Sequence, residues 1–275
     1  IDLVAIGTIA DVMPLKEENR AVVRRGLQKL NNNPRKSLAP LIKRNSNEIT
    51  SQDIAFQICP RINAMGRMGD AKRAVEFLLC DDAAQAASAC NFLDEENANR
   101  QQVEQEIIED VKKQIKKNPR LAASPVIVVA GKGYHHGVIG IVAAHILEKY
   151  GKPTFVIGID ENGIARGSAR SVEGFNIFEA LTACSDDMIQ FGGHPLAAGI
   201  TLKENMIEKF SADINEFAIK NYPVMPQVEL TLDFKLAPSY LNLDLVDSLS
   251  VLEPYGAGNS QAVFGIYKLR LLGVT

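Results

Sequence analysis

The sequence predicts an α/β protein: a helical N-terminal part, one long connecting helix, a lobe of mixed strands and helices, and the start of a β-rich unit. Three observations predict it. Between residues 126 and 221, short apolar runs alternate with helical patterns, which is how an α/β layer reads. Residues 82–117 contain neither Gly nor Pro and place Leu93, Val103, Ile107, Val111 and Ile115 on helical spacing. From Val228 to Phe234 the chain alternates apolar and polar at period two, as a half-buried strand does.

Taken in order, residues 3–7 form a short apolar run ending in glycine, read as a buried strand that delivers Thr8 and Asp11 to a loop. A helix follows over residues 18–30, carried by Ala21, Val22, Leu27 and Leu30. Ser51-Gln52-Asp53 caps a helix that Pro60 is expected to stop, and Asp70 caps another over residues 71–79. The long helix, about 54 Å at ~1.5 Å per residue, reads as a connector that Asn118-Pro119 ends. Beyond it the pattern gives strands at 126–130, 154–159, 165–171 and 197–202, and helices at 138–150, 177–184 and 206–221. Residues 261–275 read as further strand.

Composition bounds the function. With 275 residues, 46% apolar and 23% charged, the chain is globular and neither disordered nor collagenous, and no apolar run approaches the ~20 residues of a membrane helix. Cys59, Cys80, Cys90 and Cys184 show no paired spacing, which fits a reducing cytosol and supports neither a zinc ribbon nor a disulfide framework. The chain opens Ile1-Asp2-Leu3-Val4 without Met, so it reads as part of a longer protein. Charge is uneven. The whole chain carries −3, yet residues 16–73 hold 13 basic and 5 acidic side chains, a local +8 that suits phosphate and equally suits a solvated helical face.

Several constellations point to anion chemistry. Asp11 beyond the first apolar run is a candidate metal ligand or a turn residue, and one carboxylate cannot hold a catalytic ion alone. Arg61 and Arg67 stand six apart in the glycine-bearing segment 60–70, expected to be a loop, where forked guanidinium groups suit phosphate. Gly131-Lys132-Gly133-Tyr134-His135-His136-Gly137 follows a strand and opens a helix, so its amides can face an anion. His136 replaces the third glycine of a dinucleotide fingerprint, which weakens a nicotinamide reading, and adjacent histidines on extended chain are expected on opposite faces. Ser168 and Arg170 share a strand face, and Gly192-Gly193-His194 is expected to form a turn that lets a ligand approach beside an imidazole.

These motifs, in this order, resemble the RecJ-type single-strand-specific exonucleases of the DHH/DHHA1 phosphoesterase superfamily, over essentially the whole chain. Leu3 to Val12 is similar to the last DHH motif. Pro60-Arg61-Ile62-Asn63-Ala64-Met65-Gly66-Arg67 is similar to the arginine segment beside the active site. Leu93-Asp94, Asn97, Arg100-Gln101 and Glu104 resemble the joining helix. Tyr134-His135, Gly137 to Gly140, Gly167 to Arg170 and Gly192-Gly193-His194 resemble the DHHA1 signature, and Pro254-Tyr255-Gly256-Ala257-Gly258-Asn259 a motif of the OB-type segment.

The resemblance implies four parts: the C-terminal part of a DHH catalytic domain at 1–80, a connector helix at 81–118, a DHHA1 nucleic-acid-binding domain at 119–222 and the start of an OB-type β domain at 223–275. It implies a metal-dependent exodeoxyribonuclease that hydrolyses phosphodiester bonds of single-stranded DNA from the 5′ end, in DNA repair and recombination. Asp11 and Arg67 are its catalytic candidates, with Asp11 an Mn2+ or Mg2+ ligand in a complete enzyme that is expected to hold two such ions. Nucleic-acid contacts fall to Arg61, Asn63, Arg67, His135, Ser168, Arg170, Gly192, Gly193 and His194. The remaining metal-ligand motifs of the family are not in the sequence, so this segment alone is expected to be inactive and to hold no ion. A cytoplasmic monomer working beside helicase and single-strand-binding-protein partners, away from membranes, completes the expectation. The competing readings are a nanoRNA or cyclic-dinucleotide phosphodiesterase of the same superfamily and a non-catalytic DNA-binding module.

Overall fold

The computed structural model describes residues 1–42, 48–267 and 270. The chain divides into two compact units, Ile1–Asn97 with Leu230–Thr275, and Ala98–Glu229.

Unit one begins with α1 (Asp2–Ala10) and α2 (Glu17–Asn32). The apolar run at residues 3–7 is therefore helix and not the expected strand. A run this short is apolar under either period, and packing decides. Ala5 is fully buried against Gly26 of α2, where a Cβ would stand 2.2 Å from that of Ala5, so the two helices cross at their smallest residues. Asp2, fully buried in the first turn of α1, accepts from Arg35 Nε at 3.1 Å and Nη2 at 3.0 Å and lies 3.3 Å from Lys29 Nζ. These cations and the helix start hold its carboxyl well below the usual range despite the opposing effect of burial.

After α3 (Ala39–Ile42), α4 (Ser51–Asp53) runs through a π-turn at Ile54–Ile58 into α5 (Cys59–Met68). Pro60 does not stop this helix. The π-turn resets the hydrogen-bond register so that Pro60 falls in the first turn of α5, where its missing N-H is not needed. The cap lies one residue earlier than expected: the Thr50 hydroxyl accepts from the Asp53 amide at 3.2 Å, and Asp53 accepts from the Thr50 amide at 2.9 Å. Thr50→Ala should lower the stability of unit one by about 1 kcal/mol in urea denaturation; no change would mean the reciprocal cap is not formed. Asp70 caps α6 (Ala71–Leu79), accepting from the Lys72 amide at 2.8 Å, and α7 (Ala83–Lys117) is the long helix read from the sequence.

Unit two is the part of α7 from Ala98 onward, then α8 (Pro119–Ala123), β1 (Ile127–Lys132), α9 (Ile139–Tyr150), β2 (Thr154–Ile159), β3 (Ile164–Arg170), α10 (Ile177–Ala183), β4 (Gln190–His194), β5 (Ala197–Lys203) and α11 (Ile207–Asn221). Its sheet order is β1-β2-β3-β5-β4, parallel only between β1 and β2, which α9 joins as a crossover. Phe155, Ile157, Ala165, Ala169, Ala198, Ile200 and Leu202 alternate onto one sheet face and pack with Phe210, Ile214 and Ala218 of α11 and with α10. The opposite face carries α9 over β2 and β3.

The segment after Glu229 returns to unit one with β6 (Phe234–Lys235), α12 (Leu243–Leu249) and β7 (Phe264–Gly265). Residues 228–233 are not strand, contrary to their alternation. Val228 and Leu230 stand exposed, and among the described residues the ladder is confined to Phe234 and Lys235 against Phe264 and Gly265. The alternation supplies a face, but a strand also needs a neighbour to pair with. The expected strand over 261–275 is seen only at β7; residues 268–269 and 271–275 lie outside the described residues. The Pro254 to Asn259 motif docks here: Leu15 donates its amide to Ala257 O at 2.6 Å, Ser51 Oγ to Tyr255 O at 2.6 Å, and Arg24 to Glu253 O at 2.7 Å. Gly256 is needed because a Cβ would stand 2.6 Å from Leu15. All four cysteines are free thiols, and no described helix is long and apolar enough to cross a membrane.

Candidate nucleic-acid interface

In unit two the strand register gathers four of the expected residues. Arg170 pairs with Ala197, which pairs with His194; Ser168 pairs with Gly199, which pairs with Gly192. Partners across a sheet share a face, so these two rows lie side by side on the face opposite the α11 core. There α9 covers β2 and β3, while Gly192, His194 and Gly199 are exposed. The first turn of α9 closes the inner end: a Cβ on Gly140 would lie 3.0 Å from Ser168 Oγ and 3.3 Å from Arg170 Nη2. Arg170 Nη1 donates to Ala169 O at 2.8 Å and Ser168 Oγ at 3.3 Å, which fixes the guanidinium beside the helix start. A cation, a hydroxyl, an imidazole and a helix N-terminus thus border a floor nearly devoid of side chains.

Gly192-Gly193 is not the expected turn but part of edge strand β4. Its two glycines differ. A Cβ on Gly192 would meet no atom within 4 Å, whereas on Gly193, at φ 152°, it would come to 2.4 Å from Ala197 O. Gly193→Val should therefore strain β4 by about 1–3 kcal/mol in denaturation. Gly192→Val should leave stability unchanged while filling the floor and weakening oligonucleotide binding. Equal melting of the two variants would refute this distinction.

The two histidines also depart from expectation. Residues 136–138 turn, and the His135 and His136 rings stack with centroids 5.0 Å apart and planes at 14°. Burial, with the neighbouring His136 adding to it, pushes the His135 imidazole below its ordinary range. Its Nδ1 accepts from the Gly137 amide at 3.2 Å, which leaves the proton of the neutral ring on Nε2 as the donor for an anion. The depressed value sets a sign. On acidification the unfolded chain takes up this proton first, so the His135 contribution to unit two stability is present above about pH 6.5 and is lost as pH falls below it. Histidine NMR titration alongside urea curves checks this; a His135 midpoint above the free value would reverse it.

In unit one, Asp11 caps the C-terminus of α1, donating its amide to Gly7 O at 3.0 Å. The next residue, Val12, holds φ 55°, a costly conformation for a β-branched side chain of the kind found at functional sites. Arg61, Asn63 and Arg67 lie on α5 and not in a loop. At 100° per residue Asn63 and Arg67 share an exposed face, whereas Arg61 turns away and its Nε meets Asp94 Oδ1 of α7 at 3.0 Å. Asp94 was not among the sequence candidates as an arginine partner.

Much of the basic stretch serves the fold. Arg20 and Arg24 donate to carbonyls of residues 251–253, Lys29 and Arg35 hold Asp2, and Arg73 lies 4.6 Å over the Phe92 ring. Lys43 and Arg44 lie outside the described residues. Among the described residues no three His, Cys, Asp or Glu side chains gather as a metal site, so Asp11 alone does not fit a divalent ion.

The DHHA1 domain family matches residues 123–220, and the RecJ OB domain family matches residues 232–275. The single-stranded-DNA-specific exonuclease RecJ of Bacillus subtilis is 36% identical over 266 residues, covering 94% of this chain and 33% of that protein. The Thermus thermophilus RecJ is 35% identical over 266 residues, covering 97% and 38%. Crystal structures of Thermus thermophilus RecJ in complex with Mg2+ and with Mn2+ match with TM-scores of 0.84 and 0.86 at 34% and 35% identity. Each covers 96% of this chain, against 41% and 39% of theirs. The chain thus spans about a third to a half of the length of such relatives. Its paired domain families and these likenesses place it in the RecJ family of the DHH/DHHA1 phosphoesterases.

Proposed function

We propose that the chain is the strand-gripping portion of a metal-dependent exonuclease that degrades single-stranded DNA from its 5′ end. The observation that carries this reading is the bordered glycine floor of unit two, where Arg170, Ser168, His194 and the start of α9 converge on solvent-open sheet. Such a surface holds phosphates by charge and backbone amides and has few groups with which to read bases, so binding is independent of sequence. His135 adds a neutral donor, while Gly192 and Gly199 keep the floor low. Asn63 and Arg67 offer unit one a phosphate-facing helix side, with Arg61 braced by Asp94.

Asp11 is assigned as one ligand of an Mn2+ or Mg2+ ion, supported by the strained turn beside it. A complete site would activate water and stabilise the leaving oxygen. No hydrolytic step is assigned to the residues of this chain. The family likeness extends the reading to cytoplasmic DNA repair and recombination, as a monomer beside helicase and single-strand-binding proteins. The OB match beyond residue 232 favours the exonuclease over the nanoRNA and cyclic-dinucleotide phosphodiesterases.

Fluorescence anisotropy with labelled oligo(dT) tests the proposal. Affinity should fall linearly with salt on a log-log plot at about −0.7 per phosphate held, and a duplex of equal length should bind more weakly. Binding that is absent at low salt, or insensitive to salt, would overturn it.

A further inference from the structure

We propose that Tyr134 is a positioning residue that, anchored by Asp110 and Gln114 of α7, sets His135 and the start of α9 for phosphate binding. The proposal rests on the reading of unit two as a strand-binding lobe.

The sheet is notched to receive this residue. Gly131 of β1 and Gly158 of β2 are register partners, and both face Tyr134. A Cβ on Gly131 would stand 2.2 Å from the tyrosine ring, and one on Gly158 would stand 2.4 Å from the tyrosine carbonyl oxygen. Neither glycine has a positive φ, so close approach and not turn geometry explains them. Two missing side chains side by side thus seat one tyrosine, its ring over Gly131 and its carbonyl over Gly158.

The hydroxyl is held as firmly. It donates to Asp110 Oδ2 and accepts from Gln114 Nε2 at 2.9 Å. The same Gln114 nitrogen lies 2.9 Å from Asp110 Oδ2 and 3.0 Å from Ala130 O, which ties helix, strand and loop together. Burial and the adjacent Asp110 carboxylate both push the tyrosine hydroxyl's ionisation upward, so it remains a donor across the physiological range.

The next residue carries the consequence. His135 O accepts the amides of Val138 at 2.9 Å and Ile139 at 3.1 Å, while its Nδ1 takes that of Gly137. His135 therefore both opens α9 and presents its Nε2 proton, and its backbone is set by the residue before it. A loop needing only to connect β1 to α9 would not require a paired-glycine seat and a carboxylate from a separate helix.

Tyr134→Phe keeps the ring in its seat and removes the hydroxyl. Two readouts are compared in the whole chain: oligo(dT) affinity, and the long-range 1H–15N signals that show which His135 nitrogen carries the proton. The expected result is a roughly 5- to 10-fold weaker Kd, the scale of one lost net hydrogen bond. It comes with His135 signals shifted away from a pure Nε2-H tautomer, at a nearly unchanged melting temperature. Asp110→Asn, which retains an acceptor, should stay near wild type, whereas Asp110→Ala should follow Tyr134→Phe. Gly131→Ala, which unseats the ring without touching the hydroxyl, should shift the same His135 signals.

Unchanged His135 signals in Tyr134→Phe overturn the positioning role, whether or not affinity falls. If those signals move while neither Tyr134→Phe nor His135→Ala alters oligonucleotide binding, the strand-binding reading fails and the positioning role stands.

Discussion

Replacing Phe155 by alanine is expected to remove about 3–5 kcal/mol from unit two, a large share of the ~5–15 kcal/mol that stabilises a typical domain. Phe155 is fully buried and meets Phe210 of α11 edge-on, with centroids 5.2 Å apart and planes at 78°. Its ring is one of the contacts through which the middle of the sheet reaches the helix layer, and β2 on either side is hydrogen-bonded to β1 and β3. Neighbouring side chains cannot close the void without pulling those strands out of register, so both the transfer loss and the cavity remain. Native-state hydrogen exchange of β2 and β3 amides would isolate the loss to this unit. Leu196→Ala, at an exposed position, should stay within about 0.5 kcal/mol of wild type. A Phe155→Ala loss under about 1 kcal/mol would contradict this packing.

The second large effect is expected at Arg170, on binding and not on stability. Arg170→Ala should weaken oligo(dT) binding about tenfold or more at low salt and reduce the log-log salt slope by roughly 0.7, the signature of one released phosphate contact. Arg170→Lys separates charge from geometry. The ammonium keeps the counterion term, so the slope should be retained, but it cannot reproduce a planar fork already bonded to Ala169 O and Ser168 Oγ. Affinity should therefore fall part of the way at constant slope. An alanine variant with the wild-type slope would remove Arg170 from the interface.

Apart from α8 and β4, the strands and helices of unit two were legible because their apolar runs are long enough to show a period. The common face of Ser168 and Arg170 followed from strand alternation alone. Elsewhere a local signal had more than one solution. Residues 3–7 are apolar under either period, and the contact of Ala5 with Gly26 chose helix. Pro60 signals a stop only while the hydrogen-bond register is regular, and the π-turn at Ile54–Ile58 moves it. Gly192-Gly193 has the composition of a turn, yet pairing with β5 draws it straight. The anchoring of Tyr134 by Asp110 had no signature at all: the two lie 24 residues apart on elements of different period, and only the folded chain brings them together. The roles of Arg61, Asn63 and Arg67 suffered from the same helix-for-loop exchange, since a six-residue spacing means faces about 120° apart on α5 and nothing definite in a loop.

One row of the sheet has a wider implication. Gly199 sits between β3 and β4 with Gly192 across from it, so that lane presents bare backbone. Peptide groups of an inner strand already answer one another and offer a nucleobase neither a hydrogen to accept nor an oxygen to donate to. A polymer lying along this lane would be held at its kerbs and ignored in the carriageway, so exchanging thymines for adenines should matter far less than excising a single phosphate.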